Sequence, residues 1–427
     1  MSFPPQGKID RIALREIASS NARFRKGDPQ GRRAKLAFMD LAGLDLDGLD
    51  LAGADLTGAR LRGCSARGTD FRGALLFCAD LRFARMPGAD LSKADLRGCN
   101  LRGADLTGAR MAGVDMREGA LARQRLDDGN GGTGPALGGA VDAATANFKG
   151  TDLTGARLDG TIAMQVDLTD AKLAGAELHR VDFRNANFTG ADLSGAELRD
   201  CDMAGAVLHG AVIADARLTA TPLDKADLAG AVLDPALRAA LAHAGNASLA
   251  LRDVRADLAD MLAAHAEWIA TQGVSGTRLD LTAADLADLD LGGTDLSGAH
   301  LRDVYAAGAK FARAILVLAD LGRGDFSGAD FSGADLRAAT LKRGHFAGAK
   351  FAGANLEPVR LGGPEGQVMP ANLERARLWR ADLAGARLRR ATLVGADFSR
   401  ADLRGADLRD ALRDGTVFDG AVLDLRT

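Results

Sequence analysis

Residues 84–116 read ARMPGADLSKADLRGCNLRGADLTGARMAGVDM, and a large apolar side chain returns at every fifth position: Met86, Leu91, Leu96, Leu101, Leu106, Met111 and Met116. Two residues before most of them stands a small one: Ala84, Ala89, Ala94, Cys99, Ala104, Ala109. Two residues after most of them stands Gly or another small residue. A period of five fits neither the 3.6 of a helix nor the 2.0 of a simple strand. In an extended segment, residues two apart point the same way, so the large residue and the small one before it both face inward. The positions between and after them carry Asp, Arg, Ser or Thr, then Gly, which face water and favour a turn. Four such segments close a roughly square coil of twenty residues. Leu or Phe fills its axis, Ala packs its inner corner, and backbone hydrogen bonds stack the coils. A short repeat of this kind specifies a solenoid.

Working outward, the central residues run in one phase from Leu36 to Leu121, eighteen pentapeptides with Ala66 as an undersized member. Residues 122–145 lose the pattern and are dense in Gly, as a loop extruded from the solenoid would be. They lack the GK[ST] ending of a phosphate-cradling loop. A second run extends from Phe148 to Leu233, again eighteen, with its phase moved by two residues. A third runs from Leu281 to Leu361, and a fourth from Leu373 to Leu423 beyond a break at 362–370. Arg413 is a defective centre near the end. Three segments read as helix instead: 9–26, with Ile9, Ile12, Ile17 and Phe24 near one face; 236–244 after the Asp234-Pro235 start signal; and 248–271. The last lines one face with Leu251, Val254, Leu258, Leu262, His265 and Ile269.

Blocks such as GADLTGARL (53–61), GADLSGAEL (190–198) and RGDFSGADF (323–331) resemble the pentapeptide-repeat family, whose consensus is A(D/N)LXX. The resemblance covers about three quarters of the chain. It implies an all-β fold, a right-handed quadrilateral β-helix, here in two rods with helical caps. The expected organisation is a capping helix and lead-in at 1–35, a first solenoid at 36–235 with the loop 122–145, a helical linker or cap at 236–276, and a second solenoid at 277–427 with the break 362–370. The stretch HAEWIATQGVSGTRLDL (265–281) parallels NARFRKGDPQGRRAKL (21–36), with His265 and Trp268 opposite Asn21 and Phe24 once one residue is gapped. The H-x-x-W lead-in helix is similar to those of some bacterial pentapeptide proteins, including ones associated with type VI secretion.

Composition narrows the function. There are 54 basic and 57 acidic residues, a net charge of −3, which argues against a strongly basic nucleic-acid binder. The four Cys form no CxxC pair; Cys64, Cys99 and Cys201 take the inward small position and Cys78 an outer corner, as small fillers in a reducing compartment. The start MSFPPQGKIDRIALREI has no apolar core, so no signal peptide is expected, and no run approaches the ~20 apolar residues of a membrane span. The expected localisation is cytoplasmic. The six His are scattered, without HExxH or other metal-ligand spacing. A filled solenoid offers no concave, dry site for convergent polar groups, so no catalytic residue, metal or cofactor is expected.

What remains is the exterior. Leu75, Phe77 and Phe83, then Ile315, Val317 and Leu318, and Trp379 all fall on outward positions and form the expected partner or self-association contacts. His265 and Trp268 are expected to pack as a cap on the second solenoid. The expected function is a non-enzymatic protein–protein interaction scaffold, in the setting of a bacterial (type VI) secretion accessory or adaptor. Pairing as a homodimer through one end, at Val417, Phe418 and Leu423, is compatible with it. The alternative is a DNA mimic acting on gyrase or topoisomerase, which the family resemblance brings with it. That mechanism needs a strongly negative face, and only 146–235 is acidic, with 8 basic and 14 acidic residues. Asp152, Asp167, Asp170, Asp192, Asp215, Asp227 and Asp234 lie on two of its sides, diluted by Lys149 and Lys172.

Overall fold

The structure, a computed structural model, describes residues 9–121, 137–223, 225–243, 246, 251–362 and 366–424. The chain folds as two compact units, one of Met1–Leu228 with Leu233–Asn246, the other of Ala229–Val232 with Ala247–Thr427.

The first unit opens with helix α1, Arg11–Arg25. Asp10 caps its start by accepting the Ala13 N–H at 2.8 Å. Past it the backbone pairs with itself in parallel, twenty residues on: Lys35 with Asp55, Asp40 with Arg60, Asp45 with Ser65, Asp50 with Asp70. The Leu36 N–H donates to the Asp55 carbonyl at 2.7 Å, and the Asp55 N–H to the Ala34 carbonyl at 2.9 Å. Each coil therefore holds four pentapeptides, and the fold is a pentapeptide β-helix. Between segments the chain turns, as where the Ala59 N–H reaches the Leu56 carbonyl at 2.9 Å. The turn needs a positive φ, which Gly58 supplies at 63°. Cys78, Phe83 and Lys93 hold the same left-handed conformation without a glycine.

The axis is filled as the sequence reading requires. Leu36, Leu56, Leu76 and Leu96 are fully buried, with Ala54, Ala74 and Ala94 at the inner corners. Where the small inward residue is polar it has a donor's task. Thr69 Oγ1 donates to the Leu46 carbonyl at 2.7 Å, Cys99 Sγ to Leu76 at 2.8 Å, and Thr151 Oγ1 to Leu106 at 3.0 Å. A void of about 10 Å³ beside the undersized Ala143 and Ala163 has only apolar walls apart from Thr161. It is at the lower limit for a single water.

The extruded loop departs from the expected boundaries. Strand β1, Gly119–Leu121, pairs antiparallel with β2, Leu137–Gly139, so Leu121 belongs to a hairpin rather than a coil. The ladder instead joins Asn100 to Asp142, and coiling resumes at Val141 and Ala143, both buried. The insertion thus lies about five residues earlier than 122–145, and one solenoid continues across it. Beyond it, β3 (Arg157–Asp159), β4 (Glu177–His179), β5 (Glu197–Arg199) and β6 (Arg217–Thr219) form a four-stranded parallel sheet on one side. Helix α2, Pro235–His243, follows. Asn246 then seals the last coil, its side-chain amide donating to the carbonyls of Leu223 at 2.7 Å and Ala226 at 3.0 Å.

In the second unit the expected helix over 248–271 is shorter. Arg252–Asp253 form strand β7, parallel to β8, Ala284–Asp285. Val254 is buried in the solenoid core, and the Asp253 carboxylate accepts the Arg255 N–H at 3.0 Å, the same local turn used throughout the coils. The segment behaves as a piece of coil, which a helical period cannot reveal. Helix α3 occupies Leu258–Ala270. The core beyond it is aromatic. Phe311, Phe331 and Phe351 stack one coil apart with centroids 4.9 Å apart, and Phe326 stacks on Phe346 at 5.1 Å. A second hairpin, β9 (Val359–Arg360) with β10 (Val368–Met369), takes Leu361 out of the coil. The ladder passes from Thr340 to Asn372, and Leu373 resumes the axis. At the far end Leu412, Arg413, Val422 and Leu423 are exposed.

Candidate functional site

The aspartate before each centre has a local role that charge alone did not suggest. Asp55 Oδ1 accepts the Thr57 N–H at 3.1 Å, and Asp105 Oδ1 accepts both the N–H of Thr107 at 3.1 Å and its hydroxyl at 2.6 Å. Asn100 and Asn187 do the same for Arg102 and Thr189. The readable signal is that Asp and Asn alternate there, since they share only the oxygen. Where Arg stands two residues on, it forks onto the same carboxylate: Arg72 on Asp70, Arg97 on Asp95, Arg184 on Asp182, Arg409 on Asp407. The Arg409 bond brings the Asp407 carboxyl down to about 2, and the bonds from Arg184 and Arg404 lower those of Asp182 and Asp402. These carboxylates are turn-formers and ion-pair partners.

The acidic residues of 146–235 do not make a continuous face. One ladder column reads Asp152, Lys172, Asp192, Val212; another reads Asn147, Asp167, Asn187, Val207, Asp227. His209 Nε2 lies 2.6 Å from Asp227, and Asp234 accepts the Asp215 N–H at 3.0 Å. Asp170 occupies a turn with φ 58°. At about 4.8 Å per coil, this stretch is roughly 22 Å long, over which a DNA duplex presents about 13 negative charges. The segment offers 14 acidic residues against 8 basic ones, less than half that net charge.

The outward apolar residues are mostly exposed. Phe83 is 52% exposed, Trp379 39%, Ile315 39%, Leu75 37% and Leu318 37%. Phe77 and Val317, expected to point out fully, are half-buried. Phe77 packs where Gly119 passes, close enough that a Cβ there would lie 2.6 Å from the ring. The Gly119 carbonyl also sits 3.6 Å from Cys78 Sγ, which buries a cysteine expected at an outer corner. Phe77 and Phe83 occupy successive turns of one coil. Ile315, Val317 and Leu318 share one pentapeptide, whereas Trp379 follows a column two pentapeptides away, that of Tyr305, Asp325, His345 and Arg377. The three outward aromatic rings are topped by guanidinium groups: Phe83 by Arg62 at 5.6 Å, Phe77 by Arg97 at 5.1 Å, Trp379 by Arg380 at 4.2 Å.

The two solenoid starts use one device. Asn21 is fully buried; its Oδ1 accepts the Ala34 N–H at 2.9 Å, and its amide donates to the Ala52 carbonyl at 3.0 Å. His265, also fully buried, accepts the Leu279 N–H on Nδ1 at 3.0 Å. Each thus satisfies the first unpaired N–H of its coil. Trp268 stacks on His265 at 5.6 Å with Arg278 over its ring at 5.8 Å. Arg33 donates to the Gly53 carbonyl, and Arg278 to that of Gly298. Gly31 and Gly276 pass the helix so closely that a Cβ would meet the backbone of Phe24 and Trp268 at 2.1 and 2.4 Å. Burial lowers the His265 pKa, favouring the neutral ring that can accept this bond.

The cysteines are free and buried, and burial pushes the Cys64 thiol up to about 12. Among the described residues no three His, Cys, Asp or Glu side chains come together as a metal site would require, and no helix is long and apolar enough to cross a membrane.

This coil, turn and core pattern has a family match. The model for pentapeptide repeats fits residues 32–65, 54–92, 88–118, 146–185, 164–200, 186–223, 280–316, 319–357 and 371–410, more than half of the chain. The chain belongs to the pentapeptide-repeat family. Similar solved structures include HetL, a pentapeptide repeat protein involved in heterocyst differentiation regulation from the cyanobacterium Nostoc sp. strain PCC 7120, at 20% identity over 93% of this chain and 94% of that one, TM-score 0.18. Full-length QnrB1, a plasmid-mediated fluoroquinolone resistance protein, is 20% identical over 50% of this chain and 98% of its own, TM-score 0.20. Rfr23 from the cyanobacterium Cyanothece 51142 is 24% identical over 34% and 91%, TM-score 0.16. No curated protein matches the chain in sequence.

Proposed function

We propose that this protein is a non-enzymatic scaffold that binds other proteins through the outer sides of its coils. The observation that carries the reading is the exposure of Leu75, Phe83, Ile315, Leu318 and Trp379 on a solenoid whose axis is closed by side chains. In this reading the coils are right-handed and quadrilateral and form two rods with helical caps. The divisions fall at 1–35, 36–235, 236–276 and 277–427. The partner is a protein, with neither nucleic acid nor membrane in direct contact, and the compartment is the cytoplasm. The exposed far end, at Leu412, Val422 and Leu423, is where a second copy would dock. The narrower setting, an adaptor of a bacterial type VI secretion machine, is supported by the H-x-x-W lead-in helix alone.

Affinity capture from the native cell tests the scaffold, comparing the wild type with Phe77→Ser/Phe83→Ser. The expected result is a protein retained by the wild type and lost or weakened with the variant. Identical captures, with unchanged mass and stability, would leave the patch without a role. The alternative, DNA mimicry, predicts inhibition or protection of gyrase in a supercoiling assay. With Lys172, Val207 and Val212 interrupting the acidic columns, no effect at micromolar protein is expected.

A further inference from the structure

The two lead-in caps share their geometry but not their charge. Over 11–35 there are eight basic residues against two acidic ones; over the equivalent 255–280 there are two against four. Arg23 stands where the second cap has Glu267, Lys26 where it has Ala270, Arg32 where it has Thr277, and Lys35 where it has Asp280. The second cap closes its first coil without cations at the positions of Arg23, Lys26 and Lys35, whereas Arg32 also bonds its own lead-in, donating to the Pro29 carbonyl at 2.8 Å and that of Gly31 at 2.9 Å. Helix-dipole compensation accounts for little, because α3 has no basic residue in its last turn and is helical to Ala270. Arg11 pairs with Asp45, and Arg25 with Asp50 and Asp70. Among the described residues, no ion pair engages Arg15, Arg23, Lys26, Arg32, Arg33 or Lys35, and all six are exposed.

Two open clefts lie on this surface. One, of about 350 Å³, is walled by Ile17, Ser20, Arg32, Arg33 and Lys35. The other, of about 480 Å³, brings Arg33 together with Phe24, Arg25 and Arg72. Arg33 borders both.

We propose that the first cap is a docking site for a short Asp/Glu-rich segment of a protein partner. The proposal rests on the scaffold reading and names the chemistry of one thing the scaffold holds. Guanidinium groups around these open clefts suit carboxylates, which they engage in pairs of hydrogen bonds. Residues 11–35 carry six more basic than acidic residues in a chain whose net charge is −3, and the same unit turns acidic over 146–235. An extended polyanion such as DNA would run from attraction into repulsion along that unit, whereas a short acidic segment meets the cations alone.

The test is fluorescence anisotropy with the full chain and a labelled deca-glutamate peptide at low salt. Oligo-deoxythymidylate of equal charge and phosphatidylserine vesicles are the other arms. Salt-sensitive binding of the peptide is expected, weakened about tenfold in Arg32→Ser/Lys35→Ser, as the loss of two exposed pairs gives. Should that variant fold poorly, Arg23→Ser/Lys26→Ser, on the exposed helix end, is expected to weaken binding with unchanged melting. No peptide binding, tighter binding of the oligonucleotide or vesicles, or undiminished binding by a folded variant overturns the proposal. Loss of peptide binding in the variant with the Phe83-dependent capture intact separates this site from the coil sides. If the capture persists but the peptide never binds, the scaffold stands and the cap site falls.

Discussion

The residue that does most for this architecture, after the central Leu or Phe, is the Asp or Asn before it. Its oxygen fixes the turn two residues on, so charge is incidental and the oxygen is required. Asp105→Asn is therefore expected to leave stability within a few tenths of a kcal/mol, and Asp105→Ala to cost about 1 kcal/mol. Thermal unfolding of the two variants side by side checks this. The central residues behave differently. Phe331 stacks on neighbours above and below at 4.9 Å, so Phe331→Ala is expected to cost about 3–5 kcal/mol and to loosen the second unit first. Hydrogen exchange would show that asymmetry. Acid gives a further check. The carboxyls of Asp182, Asp402 and Asp407 titrate lower in the folded chain than unfolded, Asp407 at about 2 against 3.8. Their contribution is therefore full from about pH 5 upward and is lost as pH falls through 3.8 toward 2. Arg409→Gln is expected to flatten that acid slope.

At the scale of elements, the caps show how one geometric problem takes two chemical answers. Asn21 does not titrate, but His265 must stay neutral to accept the Leu279 N–H. Its folded pKa is lowered by burial, so its contribution is full above about pH 6.5 and falls as pH drops through the window below that value. Exchange protection of the second cap, corrected for the intrinsic exchange rate, is expected to fall as pH drops from 7 to 5, and His265→Asn to remove the dependence. A pH-independent cap in the wild type would contradict this.

Among these elements the five-residue period is only partly informative. The five-residue period announced the coil, its core and both interruptions, and the pairing of Asn21 with His265 was visible once a single gap was allowed. The hairpins were not: Leu121 and Leu361 keep phase with the centres before them, yet each leaves the coil, because membership depends on a partner twenty residues away. For the same reason Val254 read as helical. The ladder step from Asn100 to Asp142 makes the interrupted coil 22 residues longer than a plain one. Removing residues 118–139 restores a spacing of five between Met116 and Ala143, and the shortened protein is expected to fold with unchanged melting of the first unit.

For the whole molecule, each unit's chemistry is confined to its surface. Among the described residues the axis is filled, the thiols are buried, and most carboxylates before the centres are committed to turns and guanidinium forks. Within the second unit the apolar outward residues did not converge on one spot: Ile315 and Trp379 belong to separate columns, which fits several shallow contacts better than one deep anchor. Site-specific photo-crosslinking in the native cell addresses this most directly. A benzophenone side chain would be placed in turn at positions 83, 315 and 379, with outward polar position 60 as the control. Crosslinks to protein from the apolar positions and none from the control are the expected result. Crosslinks confined to nucleic acid, or no difference between the apolar positions and the control, would contradict the scaffold.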